Sequence, residues 1–151
     1  MNRRWLAIPA GLGLLCMGAS STPNYPVTPR LYAAQITNAS ATGPVTFFVG
    51  AAAGTKVLGV VCSSTDTSSH NVTLQILRTN TYPLVTLLIP ATAGTVSGIA
   101  PISFISQIPG LPGGGEPYFY VESTDTVQLQ SDGTVTSGKN ISCRAVAADF
   151  S

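Results

Sequence analysis

Hydrophobic and polar positions alternate along this chain in short runs that are cut by turn residues. Asn71–Arg78 shows it most clearly: Val72, Leu74 and Ile76 fall on one side, Thr73 and Gln75 on the other, with Leu77 out of step. A period of two over a handful of residues marks a strand with one buried and one solvated face. The same pattern predicts strands at Leu31–Thr37, Val45–Val49, Tyr82–Ile89, Tyr118–Glu122, Thr126–Gln130 and Lys139–Ala147. Lys56–Ser63 differs. Val57, Gly59 and Val61 alternate with Leu58, Val60 and Cys62, so both faces are apolar. Such a strand is expected to be central and buried on both sides, or to lie at an interface.

Turn residues separate the runs. Asn38–Pro44 is a polar turn, Gly50–Gly54 a turn of small residues and Ser64–Ser69 a turn of Thr, Asp and Ser, Thr79–Asn80 suits a hairpin, and Ser131–Gly138 contains Asp132-Gly133, a strong hairpin marker. Residues 90–117 form a long connection. Its apolar centre, Ile99–Ile108, suits a short strand or a single helical turn, and its end, Pro109–Pro117, is a Gly/Pro loop. A connection of this length is no tight hairpin; it carries the chain from one sheet to another. The prediction is an all-β fold, a jelly-roll-like antiparallel β-sandwich of about eight strands. In that topology the strand holding Cys62 lies beside the last strand, which holds Cys143.

Two segments precede the sandwich expected over residues 31–151. Residues 21–30 hold three prolines without periodicity and read as an extended arm. Residues 1–20 place Arg3 and Arg4 before the uncharged stretch Trp5–Ala19 and small residues at Gly18, Ala19 and Ser20, the outline of a secretory signal. The other reading is an uncleaved apolar arm that docks on a partner. Leu14-Leu15-Cys16 fits a lipoprotein site badly, since Leu15 stands where Gly or Ala is wanted. A membrane enters only if this leader is retained as an anchor.

Composition narrows the function. Of 151 residues 44% are hydrophobic and 9% are charged, against about 25% charged in ordinary soluble domains. The surface must therefore be largely Thr, Ser, Asn, Gln and Gly, which suits packing into an assembly. After the leader the cations are Arg30, Lys56, Arg78, Lys139 and Arg144, scattered along the chain. Nucleic-acid binding needs them clustered, so no nucleic-acid partner is expected.

Candidate chemistry is sparse. His70 is the only imidazole and sits in a Ser/Thr/Asp turn, where a solvated histidine is expected rather than a base. Glu122, Asp125 and Asp132 sit at turns, where such side chains cap the local backbone. Gly113-Gly114-Gly115 is followed by neither a Gly-Lys-Ser/Thr sequence nor a helix, so it is no phosphate loop. The sequons at Asn38, Asn71 and Asn140 are what chance gives in a chain so rich in Ser and Thr. No Cys-x-x-Cys or Cys/His pair marks a metal site. The expectation is a non-enzyme with no cofactor and no metal. Cys16 lies in the leader. Cys62 and Cys143 either form a disulfide, given neighbouring strands and an oxidising compartment, or are two small buried apolar side chains.

Several phrases are similar to a group of small tailed-phage proteins encoded among head genes. They are PRLYAAQITN (Pro29–Asn38), the Gly54–Thr67 strand and turn, NVTLQILR, IPGLPGGGEPYFYVES (Ile108–Ser123), DTVQLQ, TVTSGKNI and the closing AADF (Ala147–Phe150). The similarity spans about residues 29–150 and is one of pattern. It implies a virion structural protein: a capsid decoration, cement or head-fibre subunit, a homotrimer that binds the major capsid protein or other virion proteins. Partner contacts are expected at Tyr25, Arg30, Tyr32, Leu111 and Tyr118. The alternative is a secreted or envelope-anchored bacterial binding module, adhesin-like or carbohydrate-binding, for which Tyr118 and Tyr120 are the candidate platform.

Overall fold

A computed structural model describes residues 26–111 and 117–151. The alternating runs become nine strands: β1 (Pro26–Thr37), β2 (Val45–Val49), β3 (Thr55–Ser64), β4 (His70–Leu77), β5 (Thr81–Ile89), β6 (Ile102–Ser103), β7 (Phe119–Val121), β8 (Thr126–Ser131) and β9 (Asn140–Phe150). They form two antiparallel sheets. One runs β1-β9-β3-β6 with β7 also on β3, and the other runs β2-β8-β4-β5.

The strand count exceeds the expected eight for a local reason. β6 pairs with Val61 and Cys62, while β7 pairs with Thr55, Lys56 and Val57. Both lie along the same edge of β3, so they act as one strand with an insertion. Counted as one, the strands follow the order of a jelly roll, whose two sheets interleave early and late strands. The insertion contributes to the interior: Phe104 is fully buried and Ile105 nearly so, at a 3-10 turn over Ile105–Gln107. The apolar centre of the long connection thus supplies both a short strand and a helical turn.

The core lies between the sheets. Ile36, Val57, Val60, Cys62, Ile141, Cys143, Ala145 and Ala147 come from the first sheet; Phe47, Phe48, Val72, Leu74, Val127 and Leu129 come from the second. At about 25 cal/mol per Å² of apolar surface removed from water, burial of such side chains is the main force holding the sheets together.

Bulges modify the simple alternation. In β3 the register to β9 shifts between Val57 and Gly59, so Leu58 is the extra residue. The inward set is therefore Thr55 and Val57, then Val60, Cys62 and Ser64. This corrects the expectation of a strand buried on both sides. β3 is central, yet Val61 on its outer face is 41% exposed. In β2 the shift between Thr46 and Phe48 leaves Phe47 as the extra residue, which is why two adjacent Phe rings are both buried. Gln75, expected to face water, is buried on β4 beside its cross-strand partner Gln128, to whose Oε1 its Nε2 donates at 3.3 Å.

The first strand starts earlier than its hydrophobic pattern indicates. Pro26–Arg30, expected as part of a free arm, belongs to β1 and pairs with the end of β9. Prolines are tolerated there because β1 is an edge strand and only one of its sides needs N–H donors. The expected leader (residues 1–20) and Tyr25 lie outside the described residues. Among the described residues no helix is long and apolar enough to cross a membrane.

Candidate interaction face

Most ionisable groups are committed to holding turns and strand ends together. Asp66 is fully buried in the turn between β3 and β4. Its carboxylate accepts from the Thr136 N–H at 2.8 Å, the Thr136 hydroxyl at 2.7 Å and the Ser68 N–H at 3.3 Å. Nε2 of His70 is 2.9 Å from Oδ2, the oxygen that also accepts from the Thr136 N–H. Burial works against the charged form, but these donors outweigh it and hold Asp66 well below the usual carboxylate range. His70 is therefore not the solvated turn residue expected. It is buried, and Gly133 lets the neighbouring turn close over its ring: a Cβ there would stand 3.3 Å from Nδ1. The carboxylate thus ties the His70 ring, the Ser68 turn and Thr136 into one buried structural cluster.

A second cluster joins strand ends at the opposite side. Asp125 accepts from Arg78 Nε at 2.6 Å and Nη2 at 2.8 Å, and from the Glu122 N–H at 3.2 Å; Arg78 also lies 3.0 Å from Glu122. The guanidinium holds the buried Asp125 carboxyl below its ordinary range. Asp149, near the end of β9, accepts from Arg30 Nε at 2.7 Å, the Thr55 hydroxyl at 2.7 Å and the Tyr32 hydroxyl at 3.4 Å. Burial opposes its ionisation, and the Arg30 and Thr55 bonds overcome that and lower its pKa. Asp132 accepts from the backbone and side-chain nitrogens of Asn71.

With the acids used in this way, the charges that β3 and β9 present on the outer face of the first sheet are the cations Lys56 and Arg144. The sheet's register places side chains in cross-strand rows. Leu31 of β1 stands beside Val146 of β9, which stands beside Gly59 of β3. The next row is Ala33, Arg144, Val61 and Ser103. Leu31 is 69% exposed and Val146 is 53% exposed. Tyr120 of β7 is exposed farther along the face. Leu31 and Val146 thus stand side by side, with Val61 one row along beside Arg144, and exposed aliphatic side chains gathered in this way mark a candidate interaction surface.

The predicted contact residues are distributed unevenly. Arg30 and Tyr32 meet at Asp149, and Tyr32 stacks on Phe48 with ring centroids 4.3 Å apart. Both are engaged within the chain, although Arg30 remains exposed. Leu111 packs half-buried against the core. Tyr118 is half-buried, edge-on to Tyr120 at 5.2 Å, with Lys56 Nζ 4.0 Å above its ring. Residues 112–116 of the expected contact loop lie outside the described residues. Val61 lies on the strand read as apolar on both faces and Leu31 lies between the expected contacts Arg30 and Tyr32, whereas nothing in the pattern points to Val146. An apolar residue on the outward side of a strand looks the same in sequence as one turned inward until the register is known.

Cys62 and Cys143 lie opposite one another on β3 and β9, their Cα atoms 4.1 Å apart, and a disulfide joins them. A cleft of about 470 Å³ lies near the ends of β3, β7 and β9, lined by Thr55, Tyr120, Glu122, Ser123 and Phe150 among others. Among the described residues no group of three or more His, Cys, Asp or Glu side chains is placed to hold a metal ion.

No family model matches this chain, and no curated protein matches it. Among solved structures, a chain of the cyanophage Pam1 capsid asymmetric unit is similar at 15% identity and a TM-score of 0.43, over 95% of this chain and 99% of that one. A likeness at that level carries no functional weight.

Proposed function

We propose that the protein is a structural subunit of a tailed-phage virion, a capsid decoration, cement or head-fibre component. It binds the major capsid protein or another virion protein and self-associates as a trimer. The similarity of residues 29–150 to small head-encoded phage proteins supports this reading. The observation that carries it is the open apolar face built from Leu31, Val61 and Val146. A folded domain gains by covering such a surface against a neighbour. The rigid sandwich behind it, with its acids tied into turns, suits a role in which shape complementarity does the work. Purified protein is expected to co-sediment with capsids and to run as a trimer in solution. A monomer that stays in the supernatant would contradict the reading.

A secreted or envelope-anchored sugar-binding module is the second reading, and the cleft beside Tyr120 and Phe150 favours it. Their rings are 5.7 Å apart, and Glu122 and Ser123 supply polar groups on the same wall. Exposed aromatic rings with a few polar neighbours are a common arrangement for binding small ligands. The mass of the native N-terminus separates the two: a start near residue 20 fits export, and an intact leader fits the virion.

A further inference from the structure

Among the described residues no strand pairs with the side of β1 that faces away from β9, and the register fixes which peptide groups lie on that side. The short Cα spacing of 4.1 Å between Cys62 and Cys143 marks an antiparallel pair across which no backbone hydrogen bonds pass. Peptide groups point alternately to the two sides of a strand, so Cys143 turns its N–H and C=O toward β1, where it pairs with Ala34. The β1–β9 register runs unshifted from Thr28 to Thr37. Even-numbered residues of β1 therefore bond to β9, and Leu31, Ala33 and Gln35 present their N–H and C=O groups away from the sheet. Pro29, which has no N–H, occupies one of these outward positions, where it costs β9 no bond.

The side chains beside this open edge carry one unmatched charge. Arg144 is exposed in the same row as Ala33 and makes no salt bridge or side-chain hydrogen bond among the described residues. The five described acids are all engaged elsewhere: Asp66 with His70 and Thr136, Asp125 and Glu122 with Arg78, Asp149 with Arg30, and Asp132 with Asn71. The sixth acid of the chain, Glu116, lies outside the described residues, and the five described ones leave this edge no unengaged carboxylate of a second sandwich. Residues 1–25 carry Arg3 and Arg4 and no acid at all, so that segment of a neighbouring copy does not complement Arg144 either.

We propose that the β1 edge is the docking site for an extended acidic segment of another protein. The segment adds to the sheet as a further strand along Leu31–Gln35, bonds to the free peptide groups there, and places a carboxylate opposite Ala33. Two strand spacings, roughly 10 Å, separate that position from Arg144. The small Ala33 side chain between them lets the arginine lean over the edge to meet the carboxylate. Apolar residues of the incoming strand next to Leu31 extend the apolar face. Strand addition of this kind draws affinity from main-chain bonds and specificity from alternate side chains. The inference rests on the edge and the charge alone, and holds whether or not the partner belongs to a virion.

The test uses two soluble synthetic peptides of alternating Thr and Val that differ only in a central Glu or Lys, with binding followed by fluorescence anisotropy at low salt. The full chain is expected to bind the Glu peptide about tenfold more tightly than the Lys peptide, and Arg144→Glu is expected to reverse that preference. Ala33→Pro removes an outward N–H without touching the β1–β9 bonds, so it should abolish binding while the circular dichroism spectrum is unchanged. A Glu peptide N-methylated on its edge-facing amides should fail to bind the unaltered protein, which tests the same bonds without a protein variant. Equal affinity for the two peptides, full binding by the N-methylated peptide, or no saturable binding of the Glu peptide would overturn the proposal. So would dimerisation of the protein alone that Ala33→Pro abolishes, since the occupant would then be a second copy.

Discussion

Arg78 grips Asp125 through two parallel hydrogen bonds, Nε to Oδ1 at 2.6 Å and Nη2 to Oδ2 at 2.8 Å. The pair ties the end of β4 to the turn between β7 and β8. The same turn receives Gly50 from the end of β2, whose N–H donates to the Asp125 carbonyl at 3.0 Å. Three strand ends therefore converge on one buried aspartate. Asp125→Ala leaves the Glu122 N–H without its acceptor and the Arg78 guanidinium with only the exposed Glu122 carboxylate. Urea unfolding should show a loss of about 2 kcal/mol, the range for a hydrogen bond to a charged group. Asn at this position, which keeps one acceptor oxygen, should lose less.

Gly50 is needed for a steric reason. A Cβ there would overlap the carbonyl group of Glu122, standing 2.8 Å from its carbon. The obstacle is backbone, so no rotamer change relieves it. Gly50→Ala should lower stability by about 2 kcal/mol or more, whereas Ala at Gly59, whose nearest neighbour is the Val146 Cβ at 4.0 Å, should be close to neutral. Thermal melts of the two variants side by side make the comparison.

Acid should unfold this protein in a defined window. Asp66, Asp125 and Asp149 all have pKa values below the ordinary carboxylate value. On acidification the unfolded chain takes up protons first, near pH 4, while the folded state still resists. The stability these groups supply is fully present above that pH and is lost as pH falls through their folded values. Denaturation midpoints should stay level in this respect from pH 7 to about 5, then drop steeply below about 4. In Asp66→Asn the drop should be shallower, because one of the three linked protonations is gone.

The bridge between Cys62 and Cys143 spans 81 residues of sequence. In the chain-entropy description a closed loop of that size stabilises the folded state by about 4 kcal/mol. A tryptic digest without reductant should yield one linked peptide containing both residues, and Cys62→Ala/Cys143→Ala should unfold at lower urea than the oxidised protein. Recovery of the two peptides unlinked from native material would show the thiols to be free.

The strand pattern was legible because a sandwich with one solvated side per sheet forces alternation on the sequence. The range Val45–Val49 matches β2 to the residue, and the length of the 90–117 connection points to a crossing between sheets, while the pairing of β3 with β9 is one arrangement that a jelly roll allows. What the alternation could not show was bulges. Leu58 and Phe47 each insert one residue against a partner strand, and every side chain beyond a bulge changes face. That is why β3 reads as apolar on both sides while only one side is buried. The burial of His70, Asp66 and Gln75 is likewise a product of distant segments: Thr136 reaches Asp66 across 70 residues, and Gln128 lies 53 residues from Gln75. The way the candidate face is assembled is hidden in the sequence for a related reason. Leu31, Val61 and Val146 sit far apart in sequence and become neighbours only through the β1-β9-β3 register.

The outer face of the β1-β9-β3 sheet is the proposed capsid-binding surface, and the most direct measurement compares it with its counterpart on the other side of the sandwich. Val146 and Leu88 are similarly exposed, at 53% and 55%, but Val146 lies on this face and Leu88 lies on β5 of the other sheet. Co-sedimentation with capsids should be lost in Val146→Asp and retained in Leu88→Asp, with both variants folded. Binding that survives Val146→Asp, or that Leu88→Asp destroys instead, would contradict the account.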